Sequence, residues 1–107
     1  MLNEFSRTEL LLGEKSMNKL RNSHVAVFGI GGVGSYIAEG LARCGVGKLT
    51  LIDNDEVVLT NLNRQIIALH STIGMKKTDA AKKRILDINP NSEVLLSIAF
   101  IQAARLN

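Results

Sequence analysis

The sequence has one cysteine, one proline and no tryptophan, and aromatic residues fill only 4% of its 107 positions. A single thiol, Cys44, excludes an intramolecular disulfide framework, and without a Cys-x-x-Cys pair there is no thiolate knuckle for zinc. A reducing, cytoplasmic setting is therefore expected. No stretch approaches the roughly 18 consecutive apolar residues of a membrane span. The amino terminus, Met-Leu-Asn-Glu-Phe-Ser-Arg, lacks the basic start and apolar run of a secretory signal. Neither charge dominates, since 13 Lys and Arg stand among 10 Asp and Glu for a net +3. That balance suits an RNA or nucleotide ligand without demanding one. The poverty in aromatics is no bar to a core, because 46% of the residues are hydrophobic and 21% charged, as in ordinary globular domains. The length suffices for one core but is short for a complete doubly wound enzyme. One domain over residues 1–107 is expected, with a helical lead-in over 1–23 and a sheet truncated after its third strand.

In the lead-in, Leu10 to Leu12 and then Met17 and Leu20 recur at helical spacing around Gly13, which predicts two short helical segments. Val25 to Phe28 form an apolar, β-rich run ending at Gly29, the profile of a strand buried on both faces of a parallel sheet. Val33, Ile37, Leu41 and Cys44 then recur at i, i+4, i+8 and i+11, predicting a helix with these residues inside and Gly45 as a left-handed cap. Cys44 in that place reads as a small core residue rather than a nucleophile. Leu49, Leu51 and Ile52 make a second strand that closes a right-handed βαβ unit. Residues 53–77 are polar and read as a functional connection. Thr78 is expected to cap a helix running to Asn89, with Ala81, Ile85 and Ile88 inside and Pro90 as its stop. Glu93 to Ala99 read as a third strand and Phe100 to Asn107 as weakly helical. The fold class is α/β, a Rossmann-like parallel sheet with helices on both faces. Such a sheet, cut after three strands, leaves an outer edge able to pair with another chain, so dimerisation or poor solubility is expected. His24 and His70 have no Cys or carboxylate at metal-ligand spacing, and no protein-bound metal is predicted.

The chemistry gathers where the first strand becomes the first long helix. Gly29-Ile30-Gly31-Gly32-Val33-Gly34 occupies the strand-to-helix junction that makes such a pattern a phosphate or dinucleotide loop. Glycines there let backbone N–H groups approach a ligand closely, and the helix amino terminus favours negative charge. Asp53 ends the second strand about 24 residues after Gly29, near the separation at which a carboxylate accepts hydrogen bonds from a ribose. This spacing alone leaves NAD and ATP both open.

Gly29-x-Gly31-Gly32-x-Gly34, followed by Asp53-x-Asp55 and by Asn61-x-x-Arg64-Gln65, resembles the superfamily of ubiquitin-activating, molybdopterin-synthase-activating and thiamin-sulfur-carrier-activating enzymes. Ser6 to Gly13, Ala68 to Gly74 and Arg84 to Pro90 are most similar to its tRNA threonylcarbamoyladenosine dehydratase branch. The resemblance runs from about Phe5 to Val94. It implies an ATP site in which Asp53 holds the ribose, Asp55 lies close by, and Asn61, Arg64, Gln65 and Lys77 surround the triphosphate. Arg64 and Lys77 would meet the charge that develops as pyrophosphate leaves. Arg7 would act as an arginine finger reaching the partner subunit's ATP in a homodimer. The implied cofactors are ATP and magnesium. The implied substrate is a tRNA whose threonylcarbamoyladenosine carboxylate is adenylated and then cyclised with loss of AMP. Two alternatives keep the same site: activation of a ubiquitin-like sulfur carrier, with a sulfur-transfer protein as partner, and a non-catalytic nucleotide-binding or dimerisation fragment. An NAD-dependent oxidoreductase has no use for Asn61, Arg64 and Lys77. The superfamily supplies its magnesium aspartate beyond the third strand, and the text after Ala99 departs from its pattern, so the adenylation site is expected to be incomplete.

Overall fold

The computed structural model describes residues 2–98. Three parallel strands, β1 (His24–Phe28), β2 (Lys48–Ile52) and β3 (Glu93–Ser97), lie in the order β1-β2-β3. Four helices accompany them: α1 (Ser6–Leu12), α2 (Glu14–Arg21), α3 (Gly34–Cys44) and α4 (Lys77–Ile88). Two short 3-10 turns, Leu59–Asn63 and His70–Thr72, shape the long connection between β2 and α4. The expected end of β3 at Ala99 and the helical reading of Phe100 to Asn107 lie outside the described residues.

Side chains alternate across a strand, so the register decides the layers. Val25, Leu49 and Val94 align, as do Val27, Leu51 and Leu96, and these positions share one face. On it Val27, Leu49, Leu51 and Val94 form the core with Ala38, Ala42, Ala80, Ala81 and Ile85 from α3 and α4. Each fully buried aliphatic side chain of Leu or Ile size contributes about 2 kcal/mol. α3 packs on β1, α4 on β2 and β3, and the two helices on each other.

The α/β parallel architecture is as expected, but among the described residues the helices cover one face only. Two right-handed crossovers that step the same way along a sheet must land on the same side. β1 is accordingly not buried on both faces: His24, Ala26 and Phe28 are exposed, as is Leu95 on the same face of β3.

α3 also turns the other way from the expected one. Ser35, Ala38 and Ala42 are its buried residues, whereas Val33, Ile37 and Cys44 are exposed and Leu41 packs at the core margin. The helix lies so close to the sheet that only small side chains fit beneath it, and the larger aliphatics are left on the outer surface. Cys44 is therefore a surface residue, although Gly45 does cap the helix in the left-handed conformation.

In α4, Lys76 is the N-cap and Thr78 is buried inside the first turn rather than capping. The first helical amide needs no side-chain cap, because the Lys77 N–H donates to the Asp55 carbonyl at 2.9 Å. The helix stops as expected, with Asn89 held extended before Pro90.

The lead-in consists of two helices parted at Gly13. α2 is anchored by buried Met17, which meets Gly45, and by the Gly47 N–H donating to the Leu20 carbonyl at 3.1 Å. α1 buries none of its residues, and Leu10 and Leu11 are 86% and 87% exposed. Among the described residues no helix is long and apolar enough to cross a membrane.

Candidate functional site

The chain leaves β1 at Gly29, whose φ of 87° suits glycine, and whose N–H still donates to the Ile52 carbonyl at 2.8 Å. It then folds back so tightly that a Cβ on Gly34 would sit 1.7 Å from the Gly29 carbonyl oxygen. Between these two points Ile30 is fully buried and pins the loop to the core. Gly31 and Gly32 differ in kind. A Cβ on either would meet only Gln65 Nε2 or Arg64 Cγ, each at 3.9 Å, or other Arg64 atoms at 4.0 Å. Nothing in the chain itself requires glycine there. The bare backbone faces open space at the amino end of α3, where N–H groups and the helix dipole attract an anion.

Asp53, 8% exposed at the end of β2, binds this loop. Its Oδ2 accepts from the Ile30 N–H and its Oδ1 from the Asp55 N–H, both at 2.7 Å. With the Lys77 N–H on the Asp55 carbonyl, a continuous hydrogen-bond relay joins the glycine loop, the end of β2 and the start of α4. The carboxylate keeps lone pairs beyond these two bonds, so a ribose hydroxyl remains within its chemistry. The Asp55 side chain is exposed.

The Asn61 to Gln65 segment closes the other side. Buried Asn61 shapes the turn, its Oδ1 accepting from the Val58 N–H at 2.9 Å and its carbonyl from the Arg64 and Gln65 N–H groups. Arg64 lies beside Gly32, with Nη1 donating to the Thr60 carbonyl at 3.2 Å and to Asn63 Oδ1 at 2.9 Å. Among the described residues neither Arg64 nor Lys77 forms an ion pair, although Lys77 is only 8% exposed. Gln65 is 6% exposed and its Oε1 has no hydrogen-bond partner. An orphaned buried polar atom costs about 1–3 kcal/mol, and the Nε2 of the same amide is what a Cβ on Gly31 would meet, at 3.9 Å. The donor set, the unneutralised cations and the space above Gly31 and Gly32 fit a nucleotide phosphate.

The loop, Asp53, Asp55, Asn61, Arg64, Gln65 and Lys77 thus converge, and Arg7 does not. Arg7 is exposed on α1, and neighbouring Phe5 packs at Gly45, the opposite end of α3 from the loop, about 16 Å away along an 11-residue helix. The bracing role of Ile30 was not legible, because in the motif it is merely the residue between two glycines. A concavity of about 480 Å³ between Glu4, Arg43, Arg84, Asp87 and Ile88 shares no residue with the loop. Among the described residues no three His, Cys, Asp or Glu side chains are grouped to hold a metal ion.

The pattern of the ThiF family matches residues 5–105, further than the stretch to Val94 over which the motifs can be read. The chain is 56% identical over 95 residues to a tRNA threonylcarbamoyladenosine dehydratase of Bacillus subtilis, covering 89% of this chain and 37% of that one. It is 46% identical over 97 residues to the Escherichia coli enzyme of the same name, covering 91% and 36%. The crystal structure of E. coli tRNA N6-threonylcarbamoyladenosine dehydratase in complex with ATP superposes with a TM-score of 0.86 at 47% identity, covering 88% of this chain and 39% of that one. The same protein in complex with AMP gives the same values. The chain thus spans little more than a third of the length of these relatives.

Proposed function

The chain belongs to the ThiF family, and we propose that it binds ATP on the glycine loop to adenylate the carboxylate of threonylcarbamoyladenosine in tRNA, which then cyclises with net loss of water. One observation carries this reading: the space above Gly31 and Gly32, where an added Cβ would meet only the Gln65 amide Nε2, a donor, and Arg64, a cation without a counter-charge among the described residues. The binding of ATP and AMP by the E. coli dehydratase supports it.

When bound, ATP supplies an electrophilic α-phosphorus at which a carboxylate oxygen forms a bond as the bond to pyrophosphate breaks. The chain's own residues receive the charge. The loop N–H groups and the amino end of α3 face the phosphates, Arg64 and Lys77 neutralise the departing pyrophosphate, and Asp53 meets the ribose while bracing Ile30. Asn61 holds the turn that presents Arg64. Magnesium enters as the counter-ion of the triphosphate.

Arg7 completes the site from a second copy in a homodimer, since within one chain it stands at the far end of α3 and α1 leaves Leu10 and Leu11 uncovered. Sulfur-carrier activation, with its sulfur-transfer partner, is the weaker reading, because both curated relatives described above bear the tRNA dehydratase name. The cytoplasm, where tRNA is available, suits this reading.

Calorimetric titration of the full-length protein with magnesium and ATP, with NAD as control, tests the reading, followed by assay of tRNA-dependent AMP release. Saturable ATP binding and AMP release only when tRNA is present are expected. Binding of NAD in preference to ATP, or AMP release that responds to a carrier protein and not to tRNA, would overturn it.

A further inference from the structure

We propose that Glu39 and Arg84, steadied by Arg43, are positioning residues that set the spacing between the glycine loop and Lys77. The inference rests on the nucleotide reading above and concerns residues outside the ATP contacts.

α3 begins at the glycine loop and α4 begins at Lys77, so the spacing between the loop backbone and the Lys77 backbone follows the spacing of two helix amino ends. α3 and α4 pack on each other, and the buried residues they bring to the shared core are mostly small: Ala38 and Ala42 from α3, and Ala80 and Ala81 beside Ile85 from α4. Alanines allow close approach but offer no large knobs to interlock, so packing alone resists sliding of one helix along the other only weakly. Two polar links oppose that shear. The first is the relay from Ile30 through Asp53 and Asp55 to Lys77. The second is Glu39, near the middle of α3, whose Oε1 accepts from Nε of Arg84 on α4.

Glu39 suits a positioning role because each of its oxygens has its own guanidinium. Arg84 takes Oε1, and Arg43, one turn along α3, donates to Oε2 at 3.2 Å. The carboxylate is thereby fixed in rotation, and its side chain is 13% exposed, so the pair is less screened than a surface ion pair. Burial pushes the Glu39 carboxyl up, but the hydrogen bonds and charges of Arg84 and Arg43 outweigh it and hold its pKa below the ordinary 4.5. The link therefore stays ionised at neutral pH. It lies about two turns from the amino end of α4, where a small tilt between the helices becomes a displacement of Lys77 against the loop.

Three variants of the full-length protein test this: Glu39→Gln, Arg84→Gln and the double variant, titrated with magnesium and ATP. Ile85→Val, a core change in α4, serves as the control for lost stability, with temperatures adjusted so that every protein stands equally far below its own Tm. Each single variant is expected to raise the Kd for ATP about tenfold, the double variant no more than either single, and Ile85→Val less than twofold. Equal ATP affinity in wild type and the single variants would overturn the inference while leaving the nucleotide reading intact. So would a loss in Ile85→Val as large as in Glu39→Gln, or additive losses in the double variant. Failure of the wild type to bind ATP would instead remove the nucleotide reading itself, and the inference with it.

Discussion

The carboxylate of Asp53 accepts the backbone N–H of Ile30 at 2.7 Å, so the residue at the end of β2 holds the loop at the end of β1 as well as facing the proposed ribose. An acidic side chain in this position has two tasks, and substitution separates them from each other only partly.

Asp53→Asn should destabilise the fold by about 1–3 kcal/mol, because an amide presents at most one acceptor to the two N–H groups of Ile30 and Asp55. Urea unfolding reads this directly. An unchanged midpoint would mean that the loop is held by Ile30 packing alone.

The glycines of the loop should separate by cause. Gly34→Ala forces a Cβ onto the Gly29 carbonyl and should cost more than about 3 kcal/mol or prevent folding. Gly31→Ala has room at 3.9 Å, so it should fold with wild-type circular dichroism and Tm yet lose ATP binding. Retention of ATP affinity in Gly31→Ala would contradict the placement of phosphates above that residue.

Arg64→Ala should leave stability within about 0.5 kcal/mol, as its side chain is exposed and outside the core, while lowering ATP-dependent turnover by about 10²–10³. The same loss of turnover is expected of Lys77→Ala. Single-turnover AMP formation with tRNA distinguishes this from an effect on product release.

Stability should fall on the acid side partly through Glu39. Its folded pKa lies below 4.5 because Arg84 and Arg43 outweigh its burial, so the folded state binds its proton less readily than the unfolded chain. The stabilisation is complete above about pH 4.5 and disappears as pH falls through the lower folded value. Glu39→Gln should flatten that part of the pH–stability profile, measured by urea midpoints between about pH 3 and 7. An identical acid limb in the variant would show that Glu39 does not contribute.

If Arg7 acts across a homodimer, mixing inactive Arg7→Ala and inactive Arg64→Ala proteins should restore about a quarter of the wild-type activity, because a mixed dimer carries one intact site. No recovery after subunit exchange, verified by native mass spectrometry, would place Arg7 outside the active site.

Much of this organisation was legible in residue order. Period and punctuation located every described strand and helix within a few residues, and Gly29 to Gly34 with Asp53 pointed to a phosphate or dinucleotide loop because their spacing follows from one βαβ unit, whereas Asn61, Arg64, Gln65 and Lys77 were indicated only by the family resemblance. The orientation of α3 was not legible. Val33, Ile37 and Leu41 outscore Ser35, Ala38 and Ala42 in hydrophobicity, yet the smaller set faces the sheet, since burial there depends on how near the helix lies and not on its own composition.

The sequence by itself determined the element order, the parallel βαβ plan and the residue types gathered at the proposed nucleotide site, all set by side chains acting over a few neighbours. Tertiary structure alone decided that Asp53 braces Ile30, that the Gln65 Oε1 is left buried without a partner, and that Glu39 reaches Arg84. Those relationships join residues more than 20 positions apart or depend on what fails to arrive, and only the distances of closest packing determine them.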